Sequence, residues 1–240
     1  MYWVAHRGES CDAPENTMAA FKLAWRRGMK FIEGDFHLTR DGRVVCSHDA
    51  STARACGVDL KIAETDYAEL LRLDFGAWKG PEFAGERIPL LEEILDAMPQ
   101  DGGILLEIKA GQEILEPLRD IVRRRSHGRI VFICFDAEVL RRARLLMPEF
   151  KALLLTGVIP ADGVDAVLRT VEEIGAAGVD ACADPVAVTP ELVGRFLAAG
   201  REFHLWTVDD EAQAERFIGC GVTAITSNRA ASLAAKIPLG

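Results

Sequence analysis

This chain lacks several features that would assign a protein quickly. Only two of its 240 residues are tyrosine, and aromatic residues make up 7% of it. No apolar run approaches the roughly 20 residues that a helix needs to cross a bilayer, so integral membrane association is not expected. The N-terminus has no basic stretch followed by a long apolar one and runs straight into Tyr2-Trp3-Val4-Ala5, which reads as a cytoplasmic protein. The six cysteines, at 11, 46, 56, 134, 182 and 220, form no Cys-x-x-Cys pair. That excludes the common zinc and redox motifs and favours a reducing compartment. Cys134 and Cys182 lie in apolar runs and read as buried thiols. Positive charge is in deficit: 28 Lys and Arg against 37 Asp and Glu give a net charge of -9, which argues against nucleic acid and anionic membranes as partners. No internal repeat or low-complexity tract stands out, and nothing in the sequence sets an oligomeric state.

What is present is a rhythm. Strand-like apolar runs fall near 2–6, 31–36, 104–108, 130–134, 151–155, 179–183, 202–208 and 222–226, with helical patterns between them at 17–27, 112–125, 137–146, 163–176, 190–199 and 210–218. Gly178, Gly200 and Gly221 sit where helix C-terminal glycines belong. Alternation of this kind argues for a parallel sheet, and eight strands favour closure into a TIM-type (β/α)8 barrel. The chain reads as one domain over 1–240, interrupted at about 50–88 by an insertion too long for an ordinary βα loop. The insertion is expected on the catalytic face, either walling the cleft or covering it without touching the ligand.

Three clusters in the first fifty residues carry chemistry: His6-Arg7-Gly8, Glu33-Gly34-Asp35 and His48-Asp49. Each ends or follows an extended run. Successive strand residues point to opposite faces, so Glu33 and Asp35 share one. Adjacent carboxylates repel and raise each other's pKa unless a cation lies between them, and a hard divalent ion with oxygen ligands resolves that conflict. Two imidazoles can serve as general base and general acid at one phosphorus. An arginine fork matches two phosphate oxygens.

These clusters resemble the glycerophosphodiester phosphodiesterase family. The likeness extends through Ala13-Pro14-Glu15-Asn16-Thr17, Ala20-Phe21, Gly28, the run from Glu33 to Gly42, and His48-Asp49 at the family spacing. Phe83 to Glu93 resembles the stretch that re-enters the family's barrel after an insertion. Leu106-Glu107-Ile108-Lys109 resembles its third barrel strand and Trp206-Thr207-Val208 its seventh. Three segments depart from the family pattern: Cys134-Phe135 replaces Ser-Phe, Asp209 replaces Asn, and Thr226-Ser227-Asn228-Arg229-Ala230 replaces Thr-Asp-Arg/Lys-Pro. These departures put the choice of alcohol in doubt, because the last loops line the barrel mouth.

The resemblance implies metal-dependent hydrolysis of a glycerophosphodiester to an alcohol and sn-glycerol 3-phosphate. It implies Glu33, Asp35 and Glu107 as ligands of one divalent cation, and an all-carboxylate set favours Mg²⁺ or Ca²⁺ over zinc. It implies His6 and His48 as the acid–base pair, Arg7 and Lys109 as phosphate-holding groups, and Trp206 as an aromatic residue near the glycerol pocket. Which imidazole is the acid stays open, as does whether the nucleophile is water or the substrate's own glycerol hydroxyl. Glu15 and Asn16 are expected to brace the first loop, Asn16 with a further option of touching phosphate. His37 and His204 are expected to be structural. Alternatives are a lysophospholipase D-like substrate or a non-catalytic phosphodiester-binding relative.

Overall fold

The computed structural model describes residues 1–125 and 129–239. Nine strands form one sheet: β1 (Tyr2–Ala5), β2 (Phe31–Leu38), β3 (Val44–Cys46), β4 (Gly103–Ile108), β5 (Arg129–Cys134), β6 (Lys151–Thr156), β7 (Gly178–Cys182), β8 (Glu202–Trp206) and β9 (Ala224–Ser227). Eight run parallel in the order β1-β9-β8-β7-β6-β5-β4-β2, and pairing of β1 with β2 closes the ring. The ninth, β3, lies outside it, antiparallel to β2. The expected (β/α)8 barrel is therefore formed, with the run after Val44 folded back as a hairpin strand.

Period-two alternation builds two cores from single strands. On β5, Ile130, Phe132 and Cys134 face the outer layer, whereas Val131 and Ile133 fill the barrel interior with Val4, Phe31, Leu105, Leu153 and Leu155. The outer layer holds most of the apolar burial, with Phe21, Phe36, Phe196, Phe203 and Phe217 fully enclosed. Each such side chain contributes roughly 1.5–3 kcal/mol relative to exposure.

The covering helices are α1 (Met18–Arg26), then α2 (Ala53–Cys56) and α3 (Tyr67–Leu70) in the insertion, α4 (Leu91–Ala97), α5 (Leu115–Arg125), α6 (Ala137–Leu146), α7 (Val164–Glu173), α8 (Pro190–Ala198), α9 (Glu211–Gly219) and α10 (Ala230–Lys236). Their starts follow from side-chain capping: Thr17, Asp136, Thr189 and Asp210 each accept a backbone N–H of the first turn. Of the three glycines expected after helices, Gly200 and Gly221 have positive φ. Gly178 does not. It opens β7, where an added Cβ would lie 1.9 Å from the Glu202 carbonyl oxygen, and Gly175 takes the left-handed position after α7. Cys134 is buried as expected, but Cys182 is only partly covered at the end of β7.

The segment from 50 to 88 has its own small core, in which Ile62, Leu70, Phe75 and Ile88 pack on Val45 and Leu90. That core anchors the insertion to β3 and so to the C-terminal rim of the barrel. No helix among the described residues is long and apolar enough to cross a membrane.

Candidate active site

The residues expected to hold the metal, supply the acid–base pair and hold phosphate fall at or near the C-terminal rim, where barrel enzymes carry their chemistry, whereas His204 lies toward the other end of its strand. His6 and Arg7 follow β1, Lys109 follows β4, and Trp206 ends β8. The pairing of β2 with β4 sets Asp35 directly beside Glu107, and Glu33 lies one pleat earlier on the same face. The three carboxylates are buried and offer oxygens all within 4.8 Å of one another. A cleft lined by His6, Arg7, Glu33, His48, Glu107 and Lys109 lies over them, with Ile133, Phe135, Leu155 and Trp206 as its apolar side. A roomier groove of about 530 Å³ between α1, α4 and the insertion gathers no such set of ligands and imidazoles.

The first loop is shaped for this job. Arg7 has φ +54° and Gly8 φ +80°, and a Cβ on Gly8 would lie 2.6 Å from the Ala20 backbone. The turn aims the Arg7 backbone N–H at Glu33 Oε2 (2.9 Å) and brings its guanidinium Nε to 3.2 Å from Asp35 Oδ2. Asn16 donates to the same Asp35 oxygen at 2.7 Å, so it braces a candidate ligand rather than only the loop. Glu15 pairs with Arg7 at 2.9 Å. Lys109 Nζ stands 2.7 Å from Glu107 Oε1 and 3.1 Å from Asp35 Oδ1.

Three carboxylates thus face two cations, and the imbalance is visible in their protonation. Burial, with the charges of Asp35 and Glu107 added, holds Glu33 well above the usual carboxylate range. Burial and Asp35 push Glu107 up to about 7. Asp35 goes the other way: burial opposes its ionisation, but Lys109 and Arg7 bring it down to about 2. Glu33 Oε1 is buried without a hydrogen-bond partner, while Asp35 Oδ1 has the Lys109 ammonium at 3.1 Å. An orphaned buried oxygen is costly, and an all-oxygen donor set fits a hard divalent cation.

The two imidazoles have different partners. His6 Nδ1 lies 2.7 Å from the side-chain oxygen of Asn228, and its Nε2 lies 3.8 Å from Glu33 Oε2. Burial and then Arg7 lower its pKa. His48 Nδ1 lies 2.6 Å from Asp49 Oδ1. His37 Nε2 lies 3.3 Å from the His48 carbonyl oxygen. His204 is enclosed in the barrel, 3.2 Å from Glu202 and 3.4 Å from Tyr2. Trp206 lines the cleft, bonds the Asp180 carbonyl through Nε1 at 3.1 Å and meets Phe135 edge to face at 5.8 Å.

Some contributors were not singled out from sequence. Arg54 of α2 reaches Asp49 at 2.6 Å and Glu15 at 2.8 Å. Asn228 and Asp209 were noted only as departures. Asp180 lies fully buried against the cleft, its carboxyl raised by burial to about 7. A charged residue inside Val179-Asp180-Ala181-Cys182 was the available signal for it.

The fold and the rim define the class: a closed (β/α)8 barrel with a candidate divalent-cation site at its C-terminal face. A profile of the Glycerophosphoryl diester phosphodiesterase family matches residues 6–232. The chain is 32% identical over 237 residues to a probable glycerophosphodiester phosphodiesterase 2 of Mycobacterium tuberculosis, covering 95% of this chain and 87% of that one. It is 28% identical to a mouse lysophospholipase D, covering 94% and 82%. Among solved structures, a phosphodiesterase of Oleispira antarctica in complex with its product sn-glycerol-3-phosphate superposes with a TM-score of 0.91 at 29% identity, covering 98% of this chain and 96% of that one. The chain belongs to the glycerophosphoryl diester phosphodiesterase family.

Proposed function

We propose that this protein hydrolyses glycerophosphodiesters to an alcohol and sn-glycerol 3-phosphate, as a single barrel domain with an insertion at about 50–88. One observation carries the reading: the Glu33–Asp35–Glu107 cluster lies beneath the same cleft that His6 and His48 line. The three carboxylates would hold one divalent cation, Mg²⁺ or Ca²⁺. When bound, it supplies charge neutralisation at a phosphate oxygen. Arg7 and Lys109 take the remaining phosphate charge, Arg7 through its planar fork and Lys109 as a point charge.

The imidazole partners support a division of labour. His6, kept neutral by burial and by Arg7, accepts the proton of the attacking hydroxyl at Nε2. As the bond from phosphorus to the leaving oxygen breaks, His48 delivers a proton from Nε2 to that alkoxide. Asp49 at His48 Nδ1 fixes the orientation of the ring for this transfer. Six free cysteines support a reducing, cytoplasmic setting.

A lysophospholipid diester is a second reading, favoured by Phe135, 52% exposed beside Trp206 at the rim, and by the mouse relative. A purely phosphodiester-binding protein would need no acid–base pair. The deciding experiment measures glycerol 3-phosphate release from a panel of glycerophosphodiesters and lysophospholipids in Mg²⁺ or Ca²⁺. His6→Ala and His48→Ala should each lose ~10²–10⁴-fold in kcat with the cation still bound. Absence of release from every member of the panel would defeat the reading.

A further inference from the structure

We propose that Asp209 and Asn228 form a positioning pair that holds His6 in the tautomer protonated at Nδ1, with its Nε2 lone pair left free for the cleft. The inference deepens the reading above and rests on His6 acting as the base.

Barrel closure supplies the placement. In the β1–β9 register Ala5 stands opposite Ser227, so the next residues, His6 and Asn228, emerge side by side. The His6 backbone N–H bonds the Ser227 carbonyl at 2.9 Å. Asp209, in the loop after β8, then fixes Asn228 from the far side. It accepts the Asn228 backbone N–H at 2.8 Å and the side-chain Nδ2 at 2.6 Å, and it accepts Ser227 Oγ at 2.9 Å. A carboxylate at neutral pH only accepts. The Asn228 amide must therefore turn its NH₂ to Asp209 and its oxygen to His6.

That orientation settles the imidazole. A carbonyl oxygen at 2.7 Å can only accept, so Nδ1 carries the hydrogen and Nε2 carries the lone pair. Ser10 Oγ reinforces the arrangement. It lies 2.9 Å from Asn228 Oδ1 and 2.7 Å from the His6 carbonyl, close enough to donate to either. Asp209 and Asn228 both lie in segments where the chain departs from the family pattern. The carboxylate contacts Asn228 and Ser227 and acts on His6 through the amide, so it is a positioning residue.

The consequence of removing it is specific. Without the Asp209 carboxylate, the Asn228 amide is free to rotate by half a turn and present NH₂ to Nδ1. The imidazole would then carry its hydrogen on Nε2, where it cannot act as a base. An exchange of the two residues would put a carboxylate beside Nδ1 and a donor behind it, restoring an obligate acceptor for His6.

The test uses the full chain with ¹⁵N-labelled histidine. Ring ¹H–¹⁵N correlations without added metal report the His6 tautomer, and kcat and KM are measured separately with Mg²⁺. The wild type should show Nδ1–H. Asp209→Asn and Asn228→Ala should both shift His6 toward Nε2–H and lower kcat by about 10-fold or more, within the range that acid–base catalysis contributes, while KM moves less than kcat. The double variant Asp209→Asn/Asn228→Asp should return the Nδ1–H signature and most of kcat. An Nε2–H signature in the wild type would overturn the proposal. So would unchanged tautomer and kcat in both single variants, or a loss of kcat in Asp209→Asn with Nδ1–H retained. If His6→Ala keeps its rate while the tautomer responds as stated, the base assignment fails and the positioning pair stands.

Discussion

Arg54, on the insertion, donates its Nε to the Asp49 carboxylate at 2.6 Å, and the other Asp49 oxygen lies 2.6 Å from His48 Nδ1. The same guanidinium reaches Glu15, which in turn pairs with Arg7. One exposed side chain of a one-turn helix thus ties His48 to Arg7, which lines the same cleft. The insertion therefore does more than cover the barrel mouth. It positions a catalytic candidate and a phosphate-holding candidate together.

This linkage predicts that Arg54→Ala lowers kcat by roughly 10–100-fold, the usual effect of losing an outer partner of an active-site group, with little loss of stability because Arg54 is half exposed. Arg54→Lys should recover only part of the rate, since an ammonium cannot span both carboxylates with a planar fork. Steady-state kinetics and a thermal melt on the same preparations check both statements. A melt that falls in step with kcat would mean that Arg54 serves only the fold of the insertion.

The carboxylate cluster makes stability depend on pH in a stated direction. Glu107 titrates near 7 in the folded protein, above its ordinary value, so its folded form retains a proton that the unfolded chain has released. The stability this provides is complete below the unfolded pKa and is lost as pH rises toward about 7. Glu33, also raised, acts with the same sign. For a shift of this size the loss is on the order of 3 kcal/mol. His6 and His37, whose pKa values burial lowers, act with the opposite sign as pH falls, so the carboxylate contribution is isolated by comparison: Glu107→Gln should lose less melting temperature between pH 5 and pH 8 than the metal-free wild type. Mg²⁺ or Ca²⁺ should raise the melting temperature more at pH 8, and calorimetry in buffers of different ionisation enthalpy near pH 6 should record proton release on binding. Equal stabilisation by the cation at both pH values would argue against a site at these carboxylates.

The sequence displayed the barrel because βα alternation is a local property: Ile130 to Cys134 and Phe203 to Trp206 state their strands through apolar period and bounding helices. It displayed Glu33 and Asp35 as a pair because strand periodicity alone puts them on one face. Glu107 and Lys109 came through resemblance, since only the β2–β4 register places Glu107 against Asp35. The contacts of Asn228 with His6 and of Arg54 with Asp49 were hidden for the same reason. The first depends on closure of β9 onto β1 and the second on how the insertion folds over β3, and neither leaves a periodic trace. The extended run from Val44 was visible, but its antiparallel return along β2 was not. Gly178 misled because a glycine before a strand looks the same whether it ends a helix or admits a neighbouring backbone.

Gly8 should not tolerate a side chain. Its φ of +80° disfavours any L residue, and a Cβ would meet the Ala20 backbone at 2.6 Å, which cannot swing aside as a side-chain tip could. Gly8→Ala should cost about 2–4 kcal/mol from the combined backbone and packing penalties. It should also displace Arg7 from Glu33 and Asp35, so chemical denaturation and metal affinity should fall together. A variant of native stability and affinity would show that the loop can re-form without this turn.

Trp206 and Phe135 should divide substrate recognition between them. Trp206 is anchored by its Nε1 bond to the Asp180 carbonyl and sits inside the cleft, whereas Phe135 stands edge-on to it and is about half exposed. A fixed inner ring suits the part common to all glycerophosphodiesters, and an exposed outer ring suits the part that varies. Trp206→Ala should raise KM by about tenfold for every substrate, the loss expected for one buried aromatic contact, and Trp206→Phe should keep most of the affinity. Phe135→Ala should leave KM for a small polar headgroup unchanged and raise it for a lysophospholipid. If Phe135→Ala instead raised KM equally for both substrates, the outer ring would be contacting the shared glycerophosphate and the alcohol would be chosen elsewhere on the rim.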